Sequence, residues 1–444
     1  METFRHVPAA FFSFRPRLRN SCVMTRYFAV AILLIGGVLT SGSMAADSIR
    51  VSTDFPGGSA TVVEIDQKTA TIEIQPNVLV DRGWPCWWFL RIDGLTTGQT
   101  VTLKVSANPK PYRAKSVLSA SWMQPDRAVY SNDESDRSSW RQTGKCQREG
   151  EVATYQFEAS SATMWVAWGV PFLPSDAERL LDVVSHRLPG SERFELARTR
   201  GGRPVPGIRI GGGTADKPAR FGIWVQARQH AWESGGSWVG RGFIDWASSD
   251  DADAVALREI ATIHYVPIMD VDCVSIGAGG KDATPRDHNR DWSDEPVYPE
   301  VAAAQKLICR LDQARRFDVF LDLHNPGPNE QRPYFFGPDN LNELPALQQQ
   351  NHARWLAIAQ EEIAGPLPLL KEYMFATYVK TEEERGRMSA NWVRNHTSPH
   401  VLSTTLETAW NTPHSQPDGY SAVGRQLAQT VFRYLTGRTR EAQP

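Results

Sequence analysis

Residues 300–324 read EVAAAQKLICRLDQARRFDVFLDLH, a helical stretch over 300–316 running directly into a mostly apolar segment at 317–324. A short apolar run of this kind suits a strand buried on both faces. Two similar runs lie upstream, ARFGIWVQAR (219–228) and ATIHYVPIMD (261–270), and VLSTTLE (401–407) supplies a fourth downstream. Helical stretches at 344–363 (LPALQQQNHARWLAIAQEEI) and 420–437 (YSAVGRQLAQTVFRYLTG) complete the alternation. From about residue 193 onward the chain therefore predicts an α/β fold, a mixed and mainly parallel sheet covered by helices on both faces. In such sheets the chemistry sits just beyond the strand ends.

The preceding segment has a different texture. TATIEIQ (69–75), CWWFLRI (86–92), TVTLKVS (100–106), ATYQFEA (153–159) and TMWVAWG (163–169) alternate or run apolar and are rich in β-branched and aromatic residues. Asp93-Gly94 and Asn108-Pro109 punctuate them as turns. Repeated short strands without helical period predict an antiparallel β-sandwich over residues 46–185, with the polar stretch 130–150 as a surface loop. SDAERLLDVVSH (175–186) reads as a helix capped by Ser175, and the α/β domain is expected over residues 186–444.

Composition narrows the function. The 444 residues carry a formal net charge of −2, so no basic field is available for nucleic acid. The apolar run Phe28–Leu39, preceded by Arg26 and followed by SGSMAA, is too short to span a bilayer and reads as an export leader over residues 1–45. Residues 1–23 read as an extension ahead of a second candidate start at Met24. The mature chain is expected in the periplasm or outside the cell, near a charge of −6 and without a membrane span. Cys86, Cys146, Cys273 and Cys309 remain after the leader. They allow two disulfides, one in each half, or four free thiols, and no CxxC metal pattern is present.

The strand ends collect one set of polar residues. His230 and Glu233 follow the run 219–228, His324 ends the run 317–324, Glu407 ends the run 401–407, and Asn289 and Arg290 lie in the loop between. Two imidazoles and one carboxylate are the donors of a three-ligand catalytic zinc site that keeps its fourth position for water. Two ligands close in sequence, with a third far away, divide that labour in the usual manner. Each piece alone has a plainer explanation, such as a core histidine or a solvated strand end. All of them falling at strand ends in one order favours the site.

The series ARQHAWESGGSW, DHNRDW, FLDLHN and TTLETAW resembles the zinc metallocarboxypeptidase family, in its cytosolic-carboxypeptidase-like branch. WWFLRIDGL, TVTLKV and MWVAWGVPF resemble the β-sandwich that precedes the peptidase domain in that branch, so the resemblance covers roughly residues 84–437. It implies one zinc ion per chain held by His230, Glu233 and His324, with Glu407 as general base. It also implies Asn289 and Arg290 as the pair that holds a substrate's terminal carboxylate, and Asp287 as the partner of the first histidine. The substrate is then the C-terminus of a peptide or protein.

The departures from the family pattern are specific. Ala231-Trp232 replaces the usual Pro-Gly between the first two ligands, and Asn325-Pro326 replaces Gly-His after the third. The arginine that polarises the scissile carbonyl is missing, leaving Lys281 as the substitute and Arg286 as the second choice. No tyrosine lies between Tyr378 and Glu407 to match the family's mobile one. Two other functions remain open at this point: a zinc deacylase or amidase of the aspartoacylase type, acting on acyl-amino acids or cell-wall peptides, and a binding protein whose metal site has lapsed. The amino-terminal sandwich favours the carboxypeptidase over the amidase. The complete ligand set with Glu407 argues against the lapsed site.

Overall fold

The computed structural model describes residues 48–338 and 340–437; the expected leader over residues 1–45, with Cys22, lies outside them. Among the described residues no helix is long and apolar enough to cross a membrane.

Ten short strands build two sheets from the amino-terminal part. One has the order β1-β4-β10-β6-β7: Arg50–Ser52, Phe89–Asp93, Thr163–Ala167, Val129–Ser131 and Arg141–Gln142. The other has the order β2-β3-β5-β9-β8: Thr61–Asp66, Thr71–Gln75, Thr100–Ser106, Val152–Glu158 and Gln147–Glu149. Period-two alternation drives their burial. Val101, Leu103 and Val105 of β5 turn inward, as do Ala153, Tyr155 and Phe157 of β9. The pairing is antiparallel except between β3 and β5, which run parallel.

Two local expectations need correction. The polar stretch 130–150 is not one surface loop but holds β7, β8, part of β6 and a helical turn at Arg137–Ser139. Long-range contacts order it despite its composition: Arg137 is buried in an ion pair with Asp176 at 2.8 Å, and Trp140 is buried beside Phe89. Ser175 is not the helix cap either. The helix spans Pro174–Arg187, since proline suits the first helical position, and Asp176 reaches back to accept from the Leu173 N–H at 2.7 Å.

The remaining strands form one seven-stranded sheet, β11-β12-β14-β13-β15-β17-β16. Its members are Glu192–Arg198 (β11), Pro204–Gly211 (β12), Phe221–Ala227 (β13), Ala261–Val266 (β14), Val319–His324 (β15), Tyr334–Phe336 (β16) and Leu402–Glu407 (β17). The four central strands are parallel, and β12 and β16 pair antiparallel at either side of them. All of β13, β15 and β17 is buried, which is why those segments read as apolar runs. The register sets His324 directly beside Glu407 at the carboxyl ends of β15 and β17.

One apolar core runs through all three sheets. Main-chain hydrogen bonds also join the two halves. Trp84 donates to the Lys281 carbonyl at 2.9 Å, Gly280 to that of Arg82 at 2.9 Å, and Thr284 to that of Asp81 at 3.0 Å. The four cysteines are free thiols, three of them buried, so neither disulfide forms.

The helix Ser234–Ala247, which follows the first ligand turn, packs against the long helix Pro417–Thr436. They touch through backbone. A Cβ on Gly424 would lie 1.9 Å from the Val239 carbonyl oxygen, and one on Gly242 would lie 2.2 Å from that of Ser421. Gly424→Ala gains up to about 1 kcal/mol of helix propensity but forces two backbones apart, an overpacking cost of about 1–3 kcal/mol or more. Denaturant midpoints should therefore fall for Gly424→Ala and stay within about 0.5 kcal/mol for Gly144→Ala, whose Cβ meets nothing within 4 Å.

Candidate active site

The carboxyl ends of β13, β15 and β17 open into a cleft of ≈ 770 Å³. After β13 the chain leaves the sheet through Arg228, turns at His230, and enters the helix Ser234–Ala247 with Glu233 at its cap position. His324 is the last residue of β15, and Glu407 the last of β17. His230, Glu233 and His324 are all at least 97% buried, with donor atoms within 4.8 Å of one another. Of the three-donor groups found among the described residues, this is the one that could hold a metal.

The ring orientations are informative. His230 Nδ1 lies 2.8 Å from Glu233 Oε1, and His324 Nδ1 lies 2.7 Å from Glu233 Oε2. Each ring presents its other nitrogen to an aspartate: His230 Nε2 to Asp287 at 3.1 Å, His324 Nε2 to Asp322 at 3.0 Å. A ring that donates Nε2–H to a carboxylate keeps its lone pair on Nδ1. Both lone pairs then face the Glu233 oxygens, an arrangement that needs positive charge between them, either a metal cation or two further protons. The donor set fits zinc, which takes imidazole nitrogen and carboxylate oxygen in three-ligand sites. Burial works against the Glu233 charge, yet the two imidazoles outweigh it and hold the carboxyl below its ordinary range.

A second ring of contacts fixes this geometry. Asp287 accepts from the main-chain N–H groups of Asn289 at 2.7 Å and Asp282 at 3.0 Å. Burial opposes its charge too, but His230, Lys281 and Arg290 hold Asp287 well below the usual carboxylate range. Asp322 accepts from Gln229 and from Ser389, and Trp292 donates to Gln229 at 2.6 Å. Asn325 donates to the Thr408 carbonyl at 2.6 Å and accepts from the Gly236 N–H at 3.2 Å, joining the ligand helix to the end of β17.

Glu407 lines the same cleft, 8% exposed, and its buried Oε2 has no hydrogen-bond partner. Burial raises its carboxyl above the ordinary value, with Glu233 adding to the effect and the histidines opposing it. Lys281 sits 5.3 Å above the Trp84 ring and 5.8 Å from that of Tyr378. Burial disfavours its charge, but Tyr378 and Asp287 outweigh that and raise the ammonium pKa. Arg286, the second choice for this position, also lines the cleft but is engaged by Asp291 at 3.1 Å. Arg290 is half-buried; its guanidinium donates to the Asn289 carbonyl at 2.8 Å and forms no ion pair among the described residues. Asn289 points its amide at His324 Nε2, 3.5 Å away, and accepts from the Ser389 N–H at 2.8 Å.

Every residue singled out from the sequence thus borders one cleft or the ligands within it. Asp322 was missed, although its signal was present: two residues before His324 on a strand puts both side chains on one face. Tyr334 and Tyr378 lie on the cleft wall.

Comparison with known proteins agrees with this geometry. The family model for zinc carboxypeptidases matches residues 177–297, and that for the cytosolic carboxypeptidase N-terminal domain matches residues 51–168. The first match ends before His324 and Glu407, which the parallel register of the sheet brings to the site. Bovine cytosolic carboxypeptidase 3 is 22% identical over 68% of the chain, which spans about a third (32%) of that protein's length. Cytosolic carboxypeptidase 2 of Xenopus tropicalis is 32% identical over 48% of this chain and 22% of its own. An uncharacterized protein of Zymomonas mobilis is 24% identical over 84% of this chain and 90% of its own. The solved metallo-carboxypeptidase of Burkholderia cenocepacia shares the fold at a TM-score of 0.72 and 21% identity, covering 88% of this chain and 99% of that one. Two adjoining family models in their natural order, over a shared fold and a convergent His-Glu-His triad, make the chain a member of the zinc carboxypeptidase family, in its cytosolic-carboxypeptidase-like branch.

Proposed function

We propose that the protein is a zinc-dependent carboxypeptidase that hydrolyses the C-terminal peptide bond of peptides or proteins. The observation that carries this reading is the facing of two imidazole lone pairs and one carboxylate across a buried gap. The adjoining cleft is lined by Lys281 and Arg290, neither in an ion pair among the described residues, and by the Glu407 carboxylate, whose Oε2 has no hydrogen-bond partner. His230, Glu233 and His324 would hold the zinc, and Asp287 and Asp322 fix the tautomer and tilt of the two rings. Bound there, zinc would supply a Lewis acid and lower the pKa of a nearby water.

The chain's own groups do the rest. Glu407, raised by burial, accepts a proton from the attacking water and returns it to the leaving amine. Lys281, held between Trp84 and Tyr378, stabilises the charge that develops on the scissile carbonyl oxygen. Arg290 offers its guanidinium to the substrate's free carboxylate, and the bidentate fork fixes the chain end in register with the bond to be cut. Asn289 donates from the same loop. After cleavage, a free amino acid and the shortened chain leave. Export to the periplasm or beyond, with residues 1–45 as leader, belongs to the same proposal.

Three outcomes follow. Zinc content, measured by atomic absorption, should be one per native chain and near zero in His324→Ala; Asp322→Asn, which weakens the hold on that ring, should cost about 10- to 100-fold in zinc affinity. Stoichiometric zinc in His324→Ala sinks the ligand assignment.

Glu407→Gln keeps the side chain's size but cannot accept the proton. Zinc and substrate binding should survive while kcat falls at least about a hundredfold. Unchanged turnover would mean that another group activates the water.

Matched peptides with free and amidated C-termini test the direction of attack. Native protein should cleave the free acid and largely ignore the amide, and Arg290→Ala, which removes the carboxylate's partner, should lose about 2–5 kcal/mol in kcat/KM. Equal rates on acid and amide refute the exopeptidase reading and point to an amidase.

A further inference from the structure

The turn that carries two of the three ligands is held by little regular structure. Between β13 and the helix Ser234–Ala247, residues 228–233 belong to no strand or helix. Main-chain bonds tie them to the neighbouring loop at two points, Trp232 N–H to the Gly279 carbonyl at 3.1 Å and Asp270 N–H to the Arg228 carbonyl at 3.0 Å. Trp232, placed between His230 and Glu233, is 1% exposed, and its indole nitrogen has no hydrogen-bond partner. The ring is therefore fixed by shape alone.

Three other indoles fix it. Trp122 meets it edge to face at 5.7 Å and 81°, Trp168 at 5.3 Å and 83°, and Trp410 at 6.0 Å and 81°. Trp122 lies on the helical turn Ala120–Met123 and Trp168 just past β10, so both come from the amino-terminal sheets. Trp410 comes from the other side, three residues beyond Glu407, and donates its indole N–H at 2.7 Å to the carbonyl of Pro326, two residues beyond His324. Trp168 packs on Trp410 at 4.3 Å and donates to the Trp122 carbonyl at 2.9 Å. The segments bearing His230, Glu233, His324 and Glu407 all end on this one cluster.

We propose that Trp232 is a positioning residue for the metal, and that the amino-terminal sheets set the zinc affinity of the site by clamping its indole through Trp122 and Trp168. The inference rests on the ligand assignment above. Preorganised ligands lose little freedom on binding, whereas a turn released from the clamp must be reordered each time zinc enters. Edge-to-face packing also explains why a large ring stands there: three partners at nearly perpendicular angles need one aromatic body to meet them.

The test is zinc retention in the full chain, read as the rate and equilibrium of transfer to a competing chelator, with near-ultraviolet circular dichroism to verify folding. Trp122→Ala and Trp232→Ala should bind zinc at least about 10-fold more weakly, as outer partners of metal ligands do. Trp122→Phe, which keeps an edge-to-face partner, should retain zinc nearly as the native chain does. Leu103→Ala, a core deletion in the other amino-terminal sheet, should lower the melting temperature without loosening zinc. Should Trp232→Ala fail to fold, the Trp122 pair still decides. Folded Trp122→Ala with native zinc affinity overturns the clamp alone, as does equal loosening by Leu103→Ala. A native chain that takes up no zinc overturns the ligand assignment and the clamp together.

Discussion

The site depends on the parallel register of β13, β15 and β17. Because the three strands run the same way, their carboxyl ends open at one edge, and a side chain leaving any of them enters the same space. His324 and Glu407 are register partners across β15 and β17, so a donor from residue 324 and a carboxylate from residue 407 become neighbours without any loop to place them. A slip of one residue in that pairing would turn the side chains of the slipped strand to the opposite face and part His324 from Glu407. The deep burial of all three strands resists such a slip.

That edge also concentrates charge. Glu233, Asp287, Asp322 and Glu407 bring four carboxylates into a region almost closed to water. Isolated buried anions are costly, and the arrangement persists only where cations or hydrogen-bond donors meet them. Lys281 and Arg290 stand on one side, and main-chain N–H groups satisfy Asp287. Arg228 is buried behind the ligand turn and donates to the carbonyls of Phe172 and Ala231, while burial lowers its pKa to about 9. The Glu233 carboxylate, facing two imidazoles, is the one whose balance calls for a further positive charge in the gap.

Much of this could be read from the residues. Fully buried parallel strands have a distinctive composition, and polar residues at their ends stand out against it; His230, Glu233, His324 and Glu407 were visible for that reason. Asp287, and the carboxylate-binding role of Asn289 and Arg290, followed from the resemblance rather than from any pattern. What escaped was long-range. The order in residues 130–150 comes from Arg137 meeting Asp176 and from β6 pairing with β10 more than thirty residues on, which no local window contains. The helix start at Pro174 was misplaced because serine and proline both favour helix entry, and the proline won. Asp322 sat in plain view, two residues before His324 on an expected strand, but only the orientation of the His324 ring shows that its Nε2 meets this carboxylate. The closing of four tryptophans from distant segments around one ligand turn has no sequence signature at all.

The continuous core has a consequence for modularity. Trp122 and Trp168 cover the ligand turn, segment 81–84 hydrogen-bonds along the loop that bears Lys281, and Asp126 and Gln142 reach the loop after Glu407. The boundary between sandwich and α/β layers is thus a seam in sequence but not in space. Cutting the chain there would expose aromatic surface on both fragments and strip one wall from the cleft. Exchange of the amino-terminal segment between relatives would therefore carry part of the active site with it, so the two halves are bound to change together.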